Sequence, residues 1–306
     1  MTQTADASSA VPGFFHDWLE KTVRPTRRPN TYRLYRWLLT NHPFTKAVGD
    51  ITTKDVEALL DTCETARRKE IVRIVYGTAF KRAVKLGLIA TNPVTGTDAP
   101  KVEQRPMKVW DEAQATKFLA AAADDRLYAA FVLLVTCGLR KGELCGLQKE
   151  DVDYKGKTLK IQRQHIEVGG GRLGLYPPKS NSGRRSIVLP GIAVTALKSH
   201  AVGQLERGWG ESPFVFCEDD LGPLRQKNLE RRFKRLIKKA GVPDIRFHDL
   251  RHTSATLLLS KGVHAKIVQE RLGHKDVMTT LQTYAHVLPS MQKEAAERME
   301  EMFSPR

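Results

Sequence analysis

Apolar residues recur at helical spacing through roughly the first ninety positions of the chain. The first helix begins near Phe14 and is expected to end before Pro25, and a second helix has Asn30 as its N-cap. Thr52, with an aspartate three residues later, predicts a capping box at the start of a third helix. A fourth and longer helix is expected to end at Gly87. The pattern therefore predicts a small four-helix domain.

The pattern changes twice beyond this domain. Residues 91–110 lose their periodicity and carry three prolines, which is typical of an interdomain linker. Helices are then predicted at 112–123, with Asp111 as the cap, and at 126–137, where apolar residues on nearly every side indicate a core helix. Residues 152–189 alternate apolar and polar side chains, which predicts three short antiparallel strands.

Helical spacing returns in the last third of the chain. The predicted helices cover residues 224–240, 249–261, 264–272, 276–284 and 290–303. The first of them has a basic face, and the last has only a narrow apolar stripe. Strands are few beside these helices, so the expected fold class is mainly α with a small antiparallel β-sheet (α+β).

The length of 306 residues suggests two domains. Residues 1–12 are small and polar, and they are expected to be disordered. We therefore divide the chain into a tail at 1–12, a helical domain at 13–90, a linker at 91–110 and a second domain at 111–306, which includes the helix at 290–303. A chain of this length can bury a core without disulfides or metals.

The chain is strongly basic, with a formal net charge of +16. Such an excess favours a polyanionic partner, most simply nucleic acid, although a basic protein with no nucleic-acid role remains an alternative. Basic side chains on the helix faces and in the strand region are candidates for DNA contacts, while solvated faces would give the same pattern. These candidates are Arg33, Arg36, Arg73, Lys81, Arg184, Arg185, Arg231 and Arg235.

Metal, nucleotide and membrane functions find little support in the sequence. The four cysteines form no C-x-x-C pair. His248 and His252 have the i, i+4 spacing of a helical zinc site, but Arg251 between them would place a cation beside the metal. The glycine run at 169–171 lacks the Gly-Lys-Ser/Thr ending of a phosphate-binding loop. We expect no cofactor, no metal, no membrane span and a cytoplasmic location.

Six residues carry the groups that phosphodiester exchange needs. They are Arg140, Lys179, His248, Arg251, His274 and Tyr284. Arginine matches the geometry of phosphate oxygens and keeps its charge, so Arg140 and Arg251 are candidates to bind the scissile phosphate. Glu143, three residues after Arg140, could orient an arginine or an imidazole. Taken singly, each of these residues could equally be an ordinary surface or core residue.

The remaining groups suit the covalent step and its proton transfers. The phenol of Tyr284 is a candidate nucleophile, although nearby cations or a base must help it to ionise. Lys179 is a candidate donor of a proton to the leaving 5′-oxygen. His248 could accept the tyrosine proton or bond the phosphate, and His274 could donate to a phosphate oxygen.

The runs that carry these six residues resemble the tyrosine recombinase family, in particular phage-type integrases. The family's G-L-R-x-G-E-L appears as residues 138–144, and its H-x-L-R-H appears as residues 248–252. Its L-G-H…Y-x-H appears as residues 272–274 and 284–286, and its hairpin lysine as Lys179. The resemblance covers about residues 111–290, and the helical region before it is less specifically similar to the family's core-binding domain.

The resemblance implies a two-domain C-clamp around double-stranded DNA and cleavage by Tyr284 through a 3′-phosphotyrosyl intermediate. It further implies a homotetramer that acts on two attachment sites through a Holliday junction, without ATP or metal. The helix at 290–303 would be exchanged between protomers, and a directionality factor could take part. Because only about a dozen residues precede the first helix, we expect no separate domain for distant arm sites.

We therefore expect a site-specific DNA recombinase that integrates the genome of a temperate phage in the cytoplasm of a bacterial host. One alternative is a cellular recombinase that resolves chromosome or plasmid dimers, or a type IB topoisomerase. Another alternative is a DNA-binding relative without catalysis. Such a relative should have lost part of the six-residue set, and this chain keeps all six.

Overall fold

The computed structural model describes residues 13–103, 107–167, 173–178, 181–283, 296–297 and 299–303. The tail at 1–12, Lys179 and Tyr284 lie outside the described residues. Contacts within the chain define two compact units. The first unit comprises residues 1–105 and 167–172, and the second comprises residues 106–166 and 173–306.

Helices pack around one apolar core in the first unit. Its elements are α1 (Gly13–Trp18), a π-helical turn (Leu19–Val23), α2 (Arg24–Thr26), α3 (Pro29–Asn41), a 3₁₀ turn (Val48–Asp50), α4 (Thr53–Asp61), α5 (Ala66–Lys85) and a second 3₁₀ turn (Pro93–Gly96). Aromatic rings fill the centre of this core, where Phe15 packs edge-to-face against Tyr76 and Phe80. The four predicted helical segments are therefore present.

Two predicted helix ends in this unit are wrong. The first segment runs through Pro25 to Thr26, because a π-helical turn comes first and the N–H of Arg24 reaches back five residues to Leu19. This wider turn removes the crowding that a proline ring meets in a regular α-helix. The second segment begins at Pro29 rather than behind Asn30, since proline at the first helical position lacks only an N–H that needs no partner.

The predicted capping box at Thr52 is confirmed, and so is the end of α5. Gly87 lies just beyond α5 with a φ of +72°, the left-handed conformation that glycine adopts readily. The start of the predicted linker is ordered, because Val94 joins the core of the first unit. Arg73 donates hydrogen bonds to the side chain and the carbonyl of Thr97, both at 2.9 Å.

Up to Thr283, the described part of the second unit contains eight α-helices and five short strands. Its helices are α6 (Glu112–Ala121), α7 (Tyr128–Cys137), α8 (Lys141–Cys145), α9 (Gly191–Glu206), α10 (Gln226–Ala240), α11 (Asp249–Ser260), α12 (Ala265–Leu272) and α13 (Val277–Thr283). Its strands are β1 (Val152–Asp153), β2 (Thr158–Ile161), β3 (Gln164–Glu167), β4 (Leu173–Tyr176) and β5 (Arg185–Val188). The helices predicted between residues 112 and 284 agree with the observed ones to within two residues at the ends that the structure describes.

The prediction of three strands is wrong, because five strands form two small sheets. One sheet has the antiparallel order β1–β2–β5, with Leu159 opposite Ile187 and both side chains buried. The other pairs β3 with β4. These strands have two to four residues, which is too short for a clear alternation. The sequence Gln-His-Ile-Glu of β3 gives no period of its own.

The core of the second unit is built around α7, as its apolar sequence predicts. Every residue from Ala129 to Val135 is buried, and α7 packs against α9 and α11. Trp110, the last residue of the predicted linker, is fully buried and packs against Phe118 and Phe233. Its indole N–H donates to the carbonyl of Pro243 at 2.9 Å. The predicted linker therefore ends in an anchor of this unit.

The last predicted helix, at 290–303, lies only partly within the described residues. Residues 296–297 and 299–303 are helical. Met299, Met302 and Phe303 are exposed on this segment. Among the helices that the structure describes, none has the length and apolar character that crossing a membrane requires.

Candidate active site

Arg140 is positioned by a glycine turn at the end of a buried helix. Gly138 ends α7 with a φ of +63°, and α8 begins directly after Arg140. A Cβ atom at Gly138 would lie 2.5 Å from Cδ2 of Leu272 and 3.3 Å from Oγ of Ser254. Only glycine fits both the conformation and the space, so the chain passes tightly against α11 and α12 before it reaches Arg140.

A second glycine turn positions His274 in the same way. Gly273 ends α12 with a φ of +69°. A Cβ atom at Gly273 would lie 2.7 Å from the carbonyl of Ser182 and 3.0 Å from Nη1 of Arg185. His274 follows at once, so its position is set by the packing of the preceding turn.

The two arginines bind these turns crosswise. Nη2 of Arg140 donates to the carbonyl of Gly273 at 3.0 Å. Arg251, on α11, donates to the carbonyls of Gly138 at 2.7 Å and Leu272 at 2.6 Å. Both guanidiniums are therefore held where α7 and α12 end. Arg251 is buried, whereas the side chain of Arg140 is 36% exposed and can still reach a ligand.

Glu143 is a buried carboxylate between two arginines. It accepts from the backbone N–H of Arg140 at 2.9 Å, from Nη1 of Arg140 at 2.7 Å, and from Arg185 at 2.9 and 3.1 Å. Burial alone would raise the pKa of this carboxyl, but the charges and hydrogen bonds of Arg185 and Arg140 outweigh it and lower the pKa to about 2. Glu143 is therefore ionised, and it orients Arg140 as an acceptor.

His274 is held by hydrogen bonds on its ring and on its backbone. Its Nδ1 lies 2.8 Å from Oγ1 of Thr280, a fully buried residue of α13. Its carbonyl accepts from the side chain of Gln269 at 2.6 Å, and its N–H donates to the carbonyl of Gln269 at 3.1 Å. Burial, followed by the charges of Arg251 and Arg140, lowers the pKa of His274 to about 4.

Two more imidazoles stand at the start of α11. The rings of His248 and His252 meet edge-to-face, with centroids 5.1 Å apart. Burial, followed by the charges of Arg251 and Arg140, lowers the pKa of His248. Burial, followed by His248, lowers the pKa of His252 to about 4. A neutral imidazole beside charged guanidiniums can accept a proton from a reacting group or donate a hydrogen bond to a bound phosphodiester.

The structure brings together four of the six predicted catalytic residues, and Lys179 and Tyr284 lie outside the described residues. Within the described ranges, no group of three or more His, Cys, Asp or Glu side chains is arranged to hold a metal ion. Arg140 and Arg251 together present a concentrated positive charge. Such an arrangement suits the binding of a phosphate diester.

The predicted DNA contacts fall into two groups. Six of them lie at exposed positions, and these are Arg33, Arg36, Lys81, Arg184, Arg231 and Arg235. The guanidinium of Arg73 is instead bonded to Thr97, and that of Arg185 is bonded to Glu143. The strand alternation could have separated Arg185 from Arg184, because Arg185 shares its face with the buried residues Ile187 and Leu189.

Sequence reasoning also missed Gln269 and Thr280, which hold His274. Gln269 is buried on α12 and its Oε1 accepts from the ammonium of Lys266 at 2.9 Å. No local pattern marks either residue, because each acts through a contact that depends on how two helices meet. Their partners became visible only in the packed structure.

The cations and imidazoles that cluster at the Gly138 and Gly273 turns can hold a phosphodiester. The profile of the phage integrase family matches residues 108–291. The chain therefore belongs to the phage integrase family.

Two similar proteins align with most of the chain. A XerC-like tyrosine recombinase of Caldanaerobacter subterraneus subsp. tengcongensis is 28% identical, over 94% of this chain and 82% of the relative. The putative prophage phiRv2 integrase of Mycobacterium tuberculosis is 29% identical, over 86% of this chain and 71% of the relative. The chain is thus a tyrosine site-specific recombinase, which breaks and rejoins DNA strands, as the sequence predicts.

Two solved structures share the fold of this chain. The Tn1549 transposon integrase in complex with a circular intermediate DNA aligns with a TM-score of 0.78 at 22% identity, covering 94% of this chain and 98% of that one. A lambda integrase tetramer bound to a Holliday junction aligns with a TM-score of 0.61 at 25% identity, covering 86% and 76%. The predicted fold class, mainly α with a small antiparallel β-sheet, is confirmed.

Proposed function

We propose that this recombinase cuts DNA with Tyr284 and that Arg140 and Arg251 hold the phosphate under attack. The crosswise bonding of the two guanidiniums at Gly138 and Gly273 is the observation that carries this proposal. Tyr284 directly follows Thr283, the last residue of α13. The same helix contributes Thr280 to the ring of His274, so the chain that leads to Tyr284 is tied to the cation cluster.

The reaction conserves one phosphodiester bond in each step. The phenolic oxygen of Tyr284 attacks phosphorus, and its proton passes to the neutral imidazole of His248. Arg140 and Arg251 stabilise the charge that grows on the non-bridging oxygens. The 5′-oxygen leaves with a proton from Lys179, while the DNA 3′ end stays joined to tyrosine.

Rejoining runs the same steps in reverse with a different hydroxyl. The 5′-hydroxyl of the partner duplex attacks the phosphotyrosyl link, and the phenol recovers its proton. His274 donates a hydrogen bond to a phosphate oxygen through its neutral ring. Because a phosphodiester replaces a phosphotyrosine, the exchange needs no ATP.

We infer that the biological reaction is integration of a temperate-phage genome, on DNA in the bacterial cytoplasm. The similarity of this chain to a putative prophage integrase of Mycobacterium tuberculosis favours this interpretation. The similarity of this chain to a XerC-like recombinase favours dimer resolution as a second candidate function. Recombination assays between two unlike sites, as in integration, and between two identical sites, as in dimer resolution, distinguish the two.

The active assembly that we propose is a homotetramer on two duplex attachment sites. The lambda integrase tetramer on a Holliday junction supports it, because that protein shares the fold of this chain. The helix predicted at 290–303 would pass between protomers, and its exposed Met299, Met302 and Phe303 supply an apolar surface for docking. Exposed cations such as Arg33 and Arg231 would contact DNA phosphates, and a directionality factor could bias the outcome.

Covalent capture tests the chemical proposal. A nicked suicide DNA, which loses a short fragment on cleavage, should trap the chain as a protein–DNA adduct. Tyr284→Phe should form no adduct while still binding DNA, because it lacks only the attacking oxygen. An adduct formed by Tyr284→Phe, or a junction mapped to another residue, would contradict the proposal.

A further inference from the structure

Arg185 occupies a different place from its neighbour Arg184. Arg184 is exposed, while the side chain of Arg185 is only 6% exposed. Nη1 and Nη2 of Arg185 donate to the two oxygens of Glu143 at 3.1 and 2.9 Å. Its Nε donates to the carbonyl of Arg271 at 2.7 Å, and Nη1 also donates to the carbonyl of Gly183 at 3.1 Å.

Arg185 and Arg140 share the carboxylate of Glu143 evenly. Oε1 accepts from Nη1 of both arginines, and Oε2 accepts from Nη2 of Arg185 and the backbone N–H of Arg140. A carboxylate bonded from one side can rotate about its Cγ–Cδ bond. A two-point fork from Arg185 on the far side holds its plane, and the direction in which Oε1 meets Arg140 is then set.

The charge balance gives Arg185 a second effect. Glu143 carries one negative charge and lies against two guanidiniums, so the three side chains together carry one net positive charge. Without Arg185, Glu143 would face Arg140 alone and would cancel the charge that a phosphate needs there. Arg185 therefore keeps Arg140 effective as a cation.

Arg185 also joins three segments that carry parts of the site. Glu143 belongs to α8, which begins just after Arg140. The carbonyl of Arg271 belongs to the end of α12, three residues before His274. Gly183 lies four residues after Lys179 in the sequence. The buried side chain of Arg185 thus links the segments that carry Arg140, His274 and Lys179.

We propose that Arg185 is a positioning residue for the recombination reaction, which acts on the scissile phosphate through Glu143 and Arg140 and makes no contact with DNA. This role rests on the proposed function, in which Arg140 holds that phosphate. It replaces the direct DNA contact that the basic sequence around Arg185 predicts.

A neutral substrate separates this role from a merely structural one. We would measure single-turnover adduct formation on two suicide DNAs, one with the normal scissile phosphate and one with a methylphosphonate, which carries no charge. The readout is the ratio of the two rates, phosphate over methylphosphonate. Loss of a cation that serves the charged oxygen lowers this ratio, whereas general damage to the fold slows both substrates alike.

Arg185→Met should lower the ratio by about tenfold, in the same direction as Arg140→Ala. Arg184→Met, the adjacent exposed position with the same change of charge, should leave the ratio within about twofold of the wild type. Adding Glu143→Gln to Arg185→Met should restore part of the ratio, because the uncompensated carboxylate is then gone. Arg185→Lys keeps the charge without the fork, and its ratio should lie between the wild type and Arg185→Met.

Three results would overturn the inference. One is an unchanged ratio in Arg185→Met, with both substrates slowed equally. Another is an unchanged ratio in Arg185→Met together with a weaker salt dependence of DNA binding, by the amount expected for one lost phosphate contact. That result would make Arg185 a direct DNA contact. If Arg185→Met does not fold, a wild-type ratio in Arg185→Lys would show that the two-point hydrogen bonding of Arg185 to Glu143 is not needed. Absence of any adduct with the wild-type chain would instead reject the proposed function.

Discussion

The imidazoles at the site are neutral because burial disfavours their charged form, and the positive charge nearby adds to this effect. Burial comes first among the causes that lower the pKa of His248, His252 and His274, and nearby cations or a second imidazole add to it. The arginines keep their charge at any physiological pH. In the proposed reaction, the arginines would therefore supply the positive charge that binds the phosphate, and the neutral imidazoles would take part in proton transfer and hydrogen bonding.

The lowered pKa of His252 predicts a specific dependence of stability on pH. Its pKa is about 4 in the folded chain and near 6.5 when unfolded, so the unfolded state binds more protons below pH 6.5. Its contribution to the free energy of unfolding is complete above pH 6.5 and is lost as the pH falls towards 4. Between pH 7 and pH 5 the loss should be at most about 2 kcal/mol.

Urea unfolding at pH 7 and pH 5 measures this effect in the wild type and in His252→Gln. The variant should lose less stability over that interval, because it has no imidazole to titrate at position 252. Equal losses in the wild type and His252→Gln would mean that His252 titrates normally.

Helix ends, rather than helix faces, build the site. Arg140 follows the end of α7, His274 follows the end of α12, and His248 precedes α11. Periodicity predicted all three helices, and the motifs placed the candidate catalytic residues next to them. Neither predicted that Gly138 and Gly273 would supply carbonyls to the opposite arginine, because such a contact depends on how the helices cross.

The short helix α13 illustrates how an element can serve a neighbouring residue. Thr280→Val keeps the size of the side chain but removes the hydroxyl that meets Nδ1 of His274. The ring of His274 should lose its orientation, and adduct formation should slow by roughly tenfold, the worth of one hydrogen bond of this kind. Thr280→Ser keeps the hydroxyl and should retain most of the rate. Equal rates in both variants would show that this bond does not serve catalysis.

At the scale of the whole molecule, the sequence predicts the family and the fold class, but not the ends of the linker. Residues 91–110 show no period, yet Val94 is buried in the first unit and Trp110 in the second. A single anchoring residue produces no repeat that a pattern could reveal. For Arg185, the alternation of β5 indicates a face shared with buried residues, but its partner Glu143 is 42 residues away in the chain and no local pattern predicts that contact.

Assembly on DNA would give Met299, Met302 and Phe303 an apolar partner surface, because clustered exposed apolar side chains mark interaction sites. Met302, with 67% of its surface exposed, should dock on a second copy in the proposed tetramer. Met302→Glu would place a charge in that interface. Binding to DNA with one half-site should be unchanged, while cooperative binding to two half-sites and recombination between duplexes should both fall.

Val202→Glu is the matched control for this change. Val202 is also exposed and apolar, at 55%, but it lies on α9, which the proposed exchange does not involve. Gel-shift titrations with one and two half-sites, together with a strand-exchange assay, would compare the two variants. Cooperative binding by Met302→Glu equal to that of Val202→Glu would contradict docking through the last helix, because a buried unpaired charge at a protomer interface must weaken assembly.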